Sequence, residues 1–94
     1  MVLYINSYKV KPNMMDKFID ELNASGVEQT FRSIPGNVLF NYSIAAKDKD
    51  TFYLTDLWQD ESSFQAHLEN DALRIWHGIK DKYILDKVVT RYDI

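Results

Sequence analysis

Two strand-like runs joined by a short charged loop, VLFNYSIAA at residues 38–46 and TFYLTDLW at residues 51–58, decide the fold of this chain. Both runs are rich in β-branched and aromatic residues, and the four residues between them, KDKD, are all charged. A polar connection of this length is typical of an antiparallel hairpin. We therefore predict two strands, Val38–Ala46 and Thr51–Trp58, that pair with each other.

A helix is predicted between an N-terminal strand and this hairpin. Asn13 is a suitable N-cap, and behind it apolar residues recur at helical spacing at Met15, Phe18, Ile19 and Leu22. Ser25-Gly26 predicts a kink in this helix. Pro35-Gly36 predicts a type II turn that reverses the chain into the hairpin.

A second helix is predicted over residues 61–83, with Asp60 as its N-cap and a break at Asn70-Asp71. Its apolar positions share one face, which carries Phe64, Leu68, Ala72, Ile75 and Ile79. Strands over Val2–Val10 and Lys87–Tyr92 complete the order βαββαβ. This order describes an α+β, ferredoxin-like domain over residues 1–94, with a four-stranded antiparallel sheet and both helices on one face.

Strand alternation places apolar residues on both faces of this sheet. In the first strand, Tyr4 and Tyr8 point one way, whereas Leu3 and Ile5 point the other way. The helices bury only one face, and an exposed apolar face of this size is an association site. We therefore predict a homodimer whose two sheets pack face to face.

Composition excludes several classes of function. Lys and Arg number 11 against 14 Asp and Glu, and the net charge of −3 argues against a nucleic-acid partner. The absence of cysteine excludes thiolate nucleophiles and Cys-type zinc sites, and the three glycines do not form a phosphate-binding motif. Short apolar runs argue against a membrane partner. We expect a cytoplasmic protein that acts on a small molecule.

Three polar residues are candidates for chemistry. His67 lies at or beside the core-facing stripe of the second helix, as a hydrogen-bonded histidine or as a general base at the mouth of a helix–sheet cleft. Asn6 interrupts an apolar strand face, so its amide must bond either helix residues or a ligand and water. Arg74, seven residues after His67, is either solvated or binds an anionic oxygen.

The sequence predicts the roles of the second histidine and the two tryptophans less specifically. On one continuous helix, His77 would lie roughly 15 Å beyond His67, so the pair is not expected to share a metal ion. Alone, His77 is a surface or capping residue, or an axial ligand for a heme. Trp58 is expected to anchor the core, and Trp76 to be a partly exposed residue of an interface or cleft wall.

Three segments of the chain resemble the antibiotic biosynthesis monooxygenase (ABM) superfamily: IPGNVLFNY at 34–42, LTDLWQDE at 54–61 and FQAHL at 64–68. The shared features are a Pro-Gly turn before the second strand, a tryptophan closing the third strand, an acidic opening of the second helix, and an Ala-His-Leu triplet within it. The resemblance covers nearly the whole chain, and it implies the dimeric α+β barrel.

The resemblance also suggests activities. One branch oxidises phenols or quinols with O2 and without flavin or metal, which suits a chain lacking cofactor motifs. On this view the chain is a cofactor-independent monooxygenase of a small aromatic or quinol-like compound. The expected catalytic residues are His67 and Asn6, and the expected substrate-binding residues are Tyr8, Trp58, Arg74 and Trp76.

Two alternatives stay open. The IsdG-type heme-degrading monooxygenases have an asparagine and a histidine at the positions of Asn6 and His77, and a tryptophan where this chain has His67. That likeness implies heme as a cofactor, with His77 as its ligand. A dimeric module that binds a small ligand without catalysis is the other expectation.

Overall fold

The computed structural model describes residues 1–94, and both predicted helices are divided in two. The elements are β1 (Val2–Val10), α1 (Met15–Ser25), α2 (Val27–Ser33), β2 (Asn37–Ile44), β3 (Thr51–Trp58), α3 (Glu61–His67), α4 (Asp71–Tyr83) and β4 (Ile84–Asp93). The strands form one antiparallel sheet in the order β2-β3-β1-β4. The predicted α+β, ferredoxin-like architecture is therefore confirmed.

The first helical region is divided at Gly26, whose φ of 74° ends α1 and begins α2. The kink predicted at Ser25-Gly26 is confirmed, because glycine adopts this left-handed conformation without a steric penalty. The predicted N-cap is wrong. Asn13 has a φ of 63° and its side-chain oxygen accepts a hydrogen bond from Lys49 instead. Met14 takes the N-cap position without a side-chain hydrogen bond.

The second helical region is broken at residues 68–70, and Asn70 caps the restart by accepting a hydrogen bond from the Ala72 amide. The break is confirmed, but the single apolar face predicted across it is wrong. Leu68 and Ile75 are exposed, because the restart changes the rotational phase of the helix. Within α4, Ala72 and Ile79 are buried as predicted, and Trp76 takes the place expected for Ile75, which gives i, i+4 and i+7 spacing.

The turn between α2 and β2 sets the position of α3. The Asn37 amide donates a hydrogen bond to the Ile34 carbonyl, and Gly36 has a φ of 89°, as the predicted type II turn requires. The Gly36 carbonyl accepts a hydrogen bond from the Gln59 amide at 2.8 Å. A Cβ atom at Gly36 would lie 2.1 Å from the Ser63 hydroxyl oxygen, so only glycine allows α3 to pack this closely.

The helices cover one face of the sheet, where the core side chains of Phe18, Phe31, Phe52 and Trp58 are fully buried. On the other face, one row of paired residues crosses all four strands: Leu39, Leu57, Leu3 and Tyr92. None of these four is buried. Strand β4 begins at Ile84, three residues before its predicted start, and is exposed beyond that residue. None of the four helices combines the length and apolar character needed to cross a bilayer.

Candidate functional site

A solvent-connected cavity of about 180 Å³ lies between the sheet and helices α2, α3 and α4. Ten of its 16 lining residues are hydrophobic, which is the usual character of a small-molecule site with a few placed polar groups. The polar or ionisable side chains that matter most here are Asn6, Asp56, His67, His77, Lys80 and Lys87. The cavity is therefore apolar along its walls, with separate polar groups available to orient a ligand.

His67 is the best-defined polar group in the cavity wall. Its Nδ1 lies within hydrogen-bond distance of the Phe64 carbonyl. A carbonyl oxygen only accepts, so Nδ1 carries the hydrogen. In the neutral ring the lone pair then resides on Nε2, which has no partner within the protein. Burial lowers the pKa of His67 below its usual value, although the bond to Phe64 partly opposes this shift. His67 is therefore held in the neutral form that can accept a proton.

The imidazole of His67 is enclosed by aromatic rings. It stacks on Trp58 with ring centroids 4.5 Å apart and planes 21° apart, and it also contacts Phe31 and Phe64. A tryptophan face attracts a cation. Trp58 can therefore stabilise the imidazolium that forms when His67 takes a proton.

Asp56 fixes the tryptophan beneath this histidine. Its buried carboxyl accepts a hydrogen bond from Trp58 Nε1 at 2.7 Å and another from Asn6 Nδ2 at 3.2 Å. Asn6 Nδ2 also donates to the Leu54 carbonyl. The amide of Asn6 is thus satisfied by the neighbouring strand, rather than by helix residues, and its Oδ1 is left without a protein partner. That oxygen can accept a hydrogen bond from a ligand in the cavity.

Sequence reasoning missed Asp56, although a signal was present. The residue lies between Leu54 and Trp58 on the same, helix-facing side of β3, where an ionisable group is unusual. Burial raises the pKa of Asp56, although the bonds from Trp58 and Asn6 partly oppose the rise. Burial and the charge of Asp56 also raise the pKa of Tyr8 to about 12. The Tyr8 hydroxyl therefore stays protonated and can donate a hydrogen bond to a ligand.

The remaining candidates from the sequence are dispersed. Trp76 is buried rather than partly exposed, and it forms part of the cavity wall beside Tyr8. Trp58 is fully buried as expected and lies behind His67. Arg74 does not line the cavity, because it lies on the exposed face of α4 and pairs with Asp71 at 3.1 Å.

The two histidines line the same cavity from separate helices, so the continuous helix assumed for their spacing does not exist. The structure contains no group of three or more histidine, aspartate or glutamate side chains that could hold a metal ion. The cavity also does not fit a heme. A cavity of roughly 150 Å³ holds a single benzene ring, so about 180 Å³ is too small for a tetrapyrrole. The expected role of His77 as a heme ligand is not favoured by this geometry.

The ferredoxin-like sheet and the aromatic cavity beneath its helices place this chain in a class of small αβ proteins whose site lies between the helices and the sheet. Within that class, the sequence model of the antibiotic biosynthesis monooxygenase family matches residues 1–78. The chain therefore belongs to the antibiotic biosynthesis monooxygenase family. None of the proteins with curated functions matches it.

Solved structures share this fold at low sequence identity. A Nitrosomonas europaea protein, provisionally named an antibiotic biosynthesis monooxygenase, is 19% identical with a TM-score of 0.88, covering 100% of this chain and 98% of its own. A Deinococcus radiodurans protein with the same provisional name is 17% identical (TM-score 0.78), covering 100% and 92%. A Pseudomonas aeruginosa protein is also 17% identical (TM-score 0.82), covering 99% and 92%. At these identities the likeness shows the fold alone.

Proposed function

We propose that this protein is a cofactor-independent monooxygenase that oxidises a compact phenol or quinol with O2. The observation that carries the proposal is the state of His67. It is a buried, neutral imidazole with Nδ1 fixed to the Phe64 carbonyl and Nε2 without a protein partner, in the wall of an apolar cavity. Family membership and the monooxygenase names of structural neighbours support the same class of reaction.

His67 acts as the general base in this proposal. Its Nε2 removes a proton from a hydroxyl of the substrate, and the resulting imidazolium is stabilised by the face of Trp58. The protonated Tyr8 and the free oxygen of Asn6 position the substrate oxygens. The deprotonated ring is electron-rich and reacts with O2, while the apolar walls keep water from the reacting atoms.

The reaction balances without a further reductant. A hydroquinone and O2 give a hydroxylated quinone and water, with one oxygen atom in each product. The hydroquinone supplies all four electrons that reduce O2. Two come from hydroxylation of its ring, and two come from its oxidation to the quinone. The volume of about 180 Å³ favours one ring or two fused rings over a larger polycyclic compound.

A homodimer is also proposed, with the sheets packed face to face. The row formed by Leu39, Leu57, Leu3 and Tyr92 is a continuous apolar strip on the face that the helices leave uncovered. Two such strips facing each other would bury their side chains in the manner of a sandwich core.

The test is enzyme-dependent O2 uptake with methylhydroquinone and 1,4-naphthohydroquinone, followed by mass spectrometry of products formed under ¹⁸O₂. We expect one labelled oxygen in the quinone product of at least one of them. His67→Gln should lower kcat by about 10²-fold or more, the usual contribution of a general base. Arg74→Gln is the matched control and should leave kcat unchanged, because Arg74 lies outside the cavity.

Two results would contradict the proposal. O2 uptake no faster than the autoxidation of the substrate alone would exclude the activity with these quinols, and a quinone without ¹⁸O would show oxidation without oxygen transfer. Turnover by His67→Gln equal to that of the wild type would remove the base assignment and leave the activity in place. Circular dichroism of each variant establishes that it is folded.

A further inference from the structure

Two lysines at the mouth of the cavity have no acidic partner. Lys80 extends from the last turns of α4 and Lys87 from β4, and both line the cavity together with His77. None of the ion pairs in the chain includes Lys80 or Lys87. The mouth therefore carries a concentration of positive charge that the fold itself does not neutralise.

Lys80 is held against the aromatic wall rather than extended into solvent. Its ammonium nitrogen lies 5.4 Å from the centroid of the Tyr8 ring and 5.5 Å from that of Trp76. Burial, followed by the charge of Lys87, lowers the pKa of Lys80, and Asp81 opposes this only in part. Lys80 is thus a partly desolvated cation beside a second cation.

Lys87 lies beside the same part of the cavity, on the neighbouring strand β4. It lies directly opposite Tyr8 in the pairing of β1 with β4, on the helix-facing side. Its neighbour Asp86 does not line this cavity and forms no ion pair with either lysine. Both lysines therefore line the cavity beside Tyr8, Lys80 over its ring and Lys87 on the neighbouring strand.

We infer that the substrate carries an anionic substituent, a carboxylate or a phosphate ester, which Lys80 and Lys87 bind at the mouth while its ring occupies the apolar cavity. This inference rests on the proposed function, because it assigns the same cavity to the substrate. Asp56 also lines the cavity, but it pairs with Tyr4 of β1, whereas Lys87 pairs with Tyr8 further along that strand, and the carboxyl of Asp56 would repel an anion. The anionic group therefore points outward, and the ring lies toward His67.

The test measures binding without turnover, by isothermal titration calorimetry under anaerobic conditions. The probes are 2,5-dihydroxybenzoate and its neutral analogue 2,5-dihydroxybenzamide, with 4-hydroxyphenyl phosphate to distinguish the two anionic groups. Hydrogen bonds to charged groups are roughly twice as strong as neutral ones. We expect at least one acid to bind about tenfold more tightly than the amide at low ionic strength, and this preference to fall as salt screens the charges.

Matched variants identify the residues responsible. Lys80→Met with Lys87→Met keeps the aliphatic stems and should reduce the preference for the acids to less than about twofold. Lys87→Met alone, at an exposed strand position, should reduce it in part. Lys82→Met is the control, because Lys82 is also on α4 but pairs with Glu21 away from the cavity. It removes one positive charge and should leave the preference intact.

Equal binding of acid and amide by the wild type, no binding of either acid, or a preference that survives in the double variant would each overturn the inference. These outcomes are separate from those of the proposed function. An acid that binds without enzyme-dependent O2 uptake would support the cation site and contradict the activity. Turnover of neutral quinols by a protein that shows no preference for the acids would support the activity and contradict the cation site.

Discussion

Gly36→Ala tests how the turn before β2 positions the helix that carries His67. The backbone at Gly36 has a φ of 89°, and an added Cβ would lie 2.1 Å from the Ser63 hydroxyl oxygen and 2.4 Å from the Ser63 Cβ. The hydroxyl oxygen can rotate away, whereas the Ser63 Cβ moves only if α3 moves. The substitution therefore displaces α3 from the sheet, and His67 with it.

Two separate contributions determine the loss of stability. A non-glycine residue in the left-handed region costs about 1–2 kcal/mol, and overpacking costs about 1–3 kcal/mol. Their sum is about 2–5 kcal/mol. For a domain of this size, each kcal/mol lowers Tm by roughly 4–8 °C, so a decrease of about 8 °C or more is expected.

A double-mutant cycle with Ser63→Gly separates the two contributions. Removing the Ser63 side chain relieves the clash but leaves the backbone strain, so Gly36→Ala should cost only about 1–2 kcal/mol in that background. Urea unfolding followed by circular dichroism measures the four proteins. A loss in Gly36→Ala below about 1 kcal/mol, or the same loss in both backgrounds, would refute the close packing of this turn against α3.

Three further predictions concern pH, assembly and charge. Because burial lowers the pKa of His67 below 6.5, its neutral form stabilises the native state above that pH, and this contribution is lost on acidification. Between about pH 7.5 and about pH 5.5 the wild type should therefore lose more stability in urea unfolding than His67→Gln does. Leu57→Asp should convert a dimer into a monomer in sedimentation velocity, and an unchanged dimer would contradict the sheet-to-sheet contact. Lys80→Met should raise Tm, since it removes a charge that burial disfavours; a lower Tm would show that Lys80 stabilises the fold.

The sequence was sufficient for the fold because its strongest signals are local. Alternation in residues 38–58 predicts the hairpin, and Pro35-Gly36 and Asn70-Asp71 predict a turn and a break that the structure contains. The helix faces were less predictable. Without the exact residue at which α4 restarts, the spacing places Ile75 on the apolar face, although Trp76 occupies it.

Residues of the site could be predicted only where a side chain differs in polarity from its neighbours on the same face of a helix or strand. Asn6 and His67 are polar side chains on apolar faces, and both line the cavity. Lys80 and Lys87 are ordinary surface residues by sequence. They become neighbours only because β4 follows α4 without a loop and pairs with β1 beside Tyr8. Arg74 lies outside the cavity for the opposite reason, because the helical spacing that related it to His67 does not cross the break.

Asp56 and Lys80 are both desolvated ionisable groups in one cavity, but only one of them is compensated within the chain. Asp56 receives hydrogen bonds from Trp58 and Asn6, so its burial fixes the ring on which His67 stacks. Lys80 has only the faces of Tyr8 and Trp76, and the charge of Lys87 adds to the effect of burial in lowering its pKa, whereas Asp81 opposes this in part. A partly buried charge without a counterion lowers the stability of the free protein. A bound anion would offset that cost, so binding of an anionic ligand at Lys80 should also increase the stability of the fold.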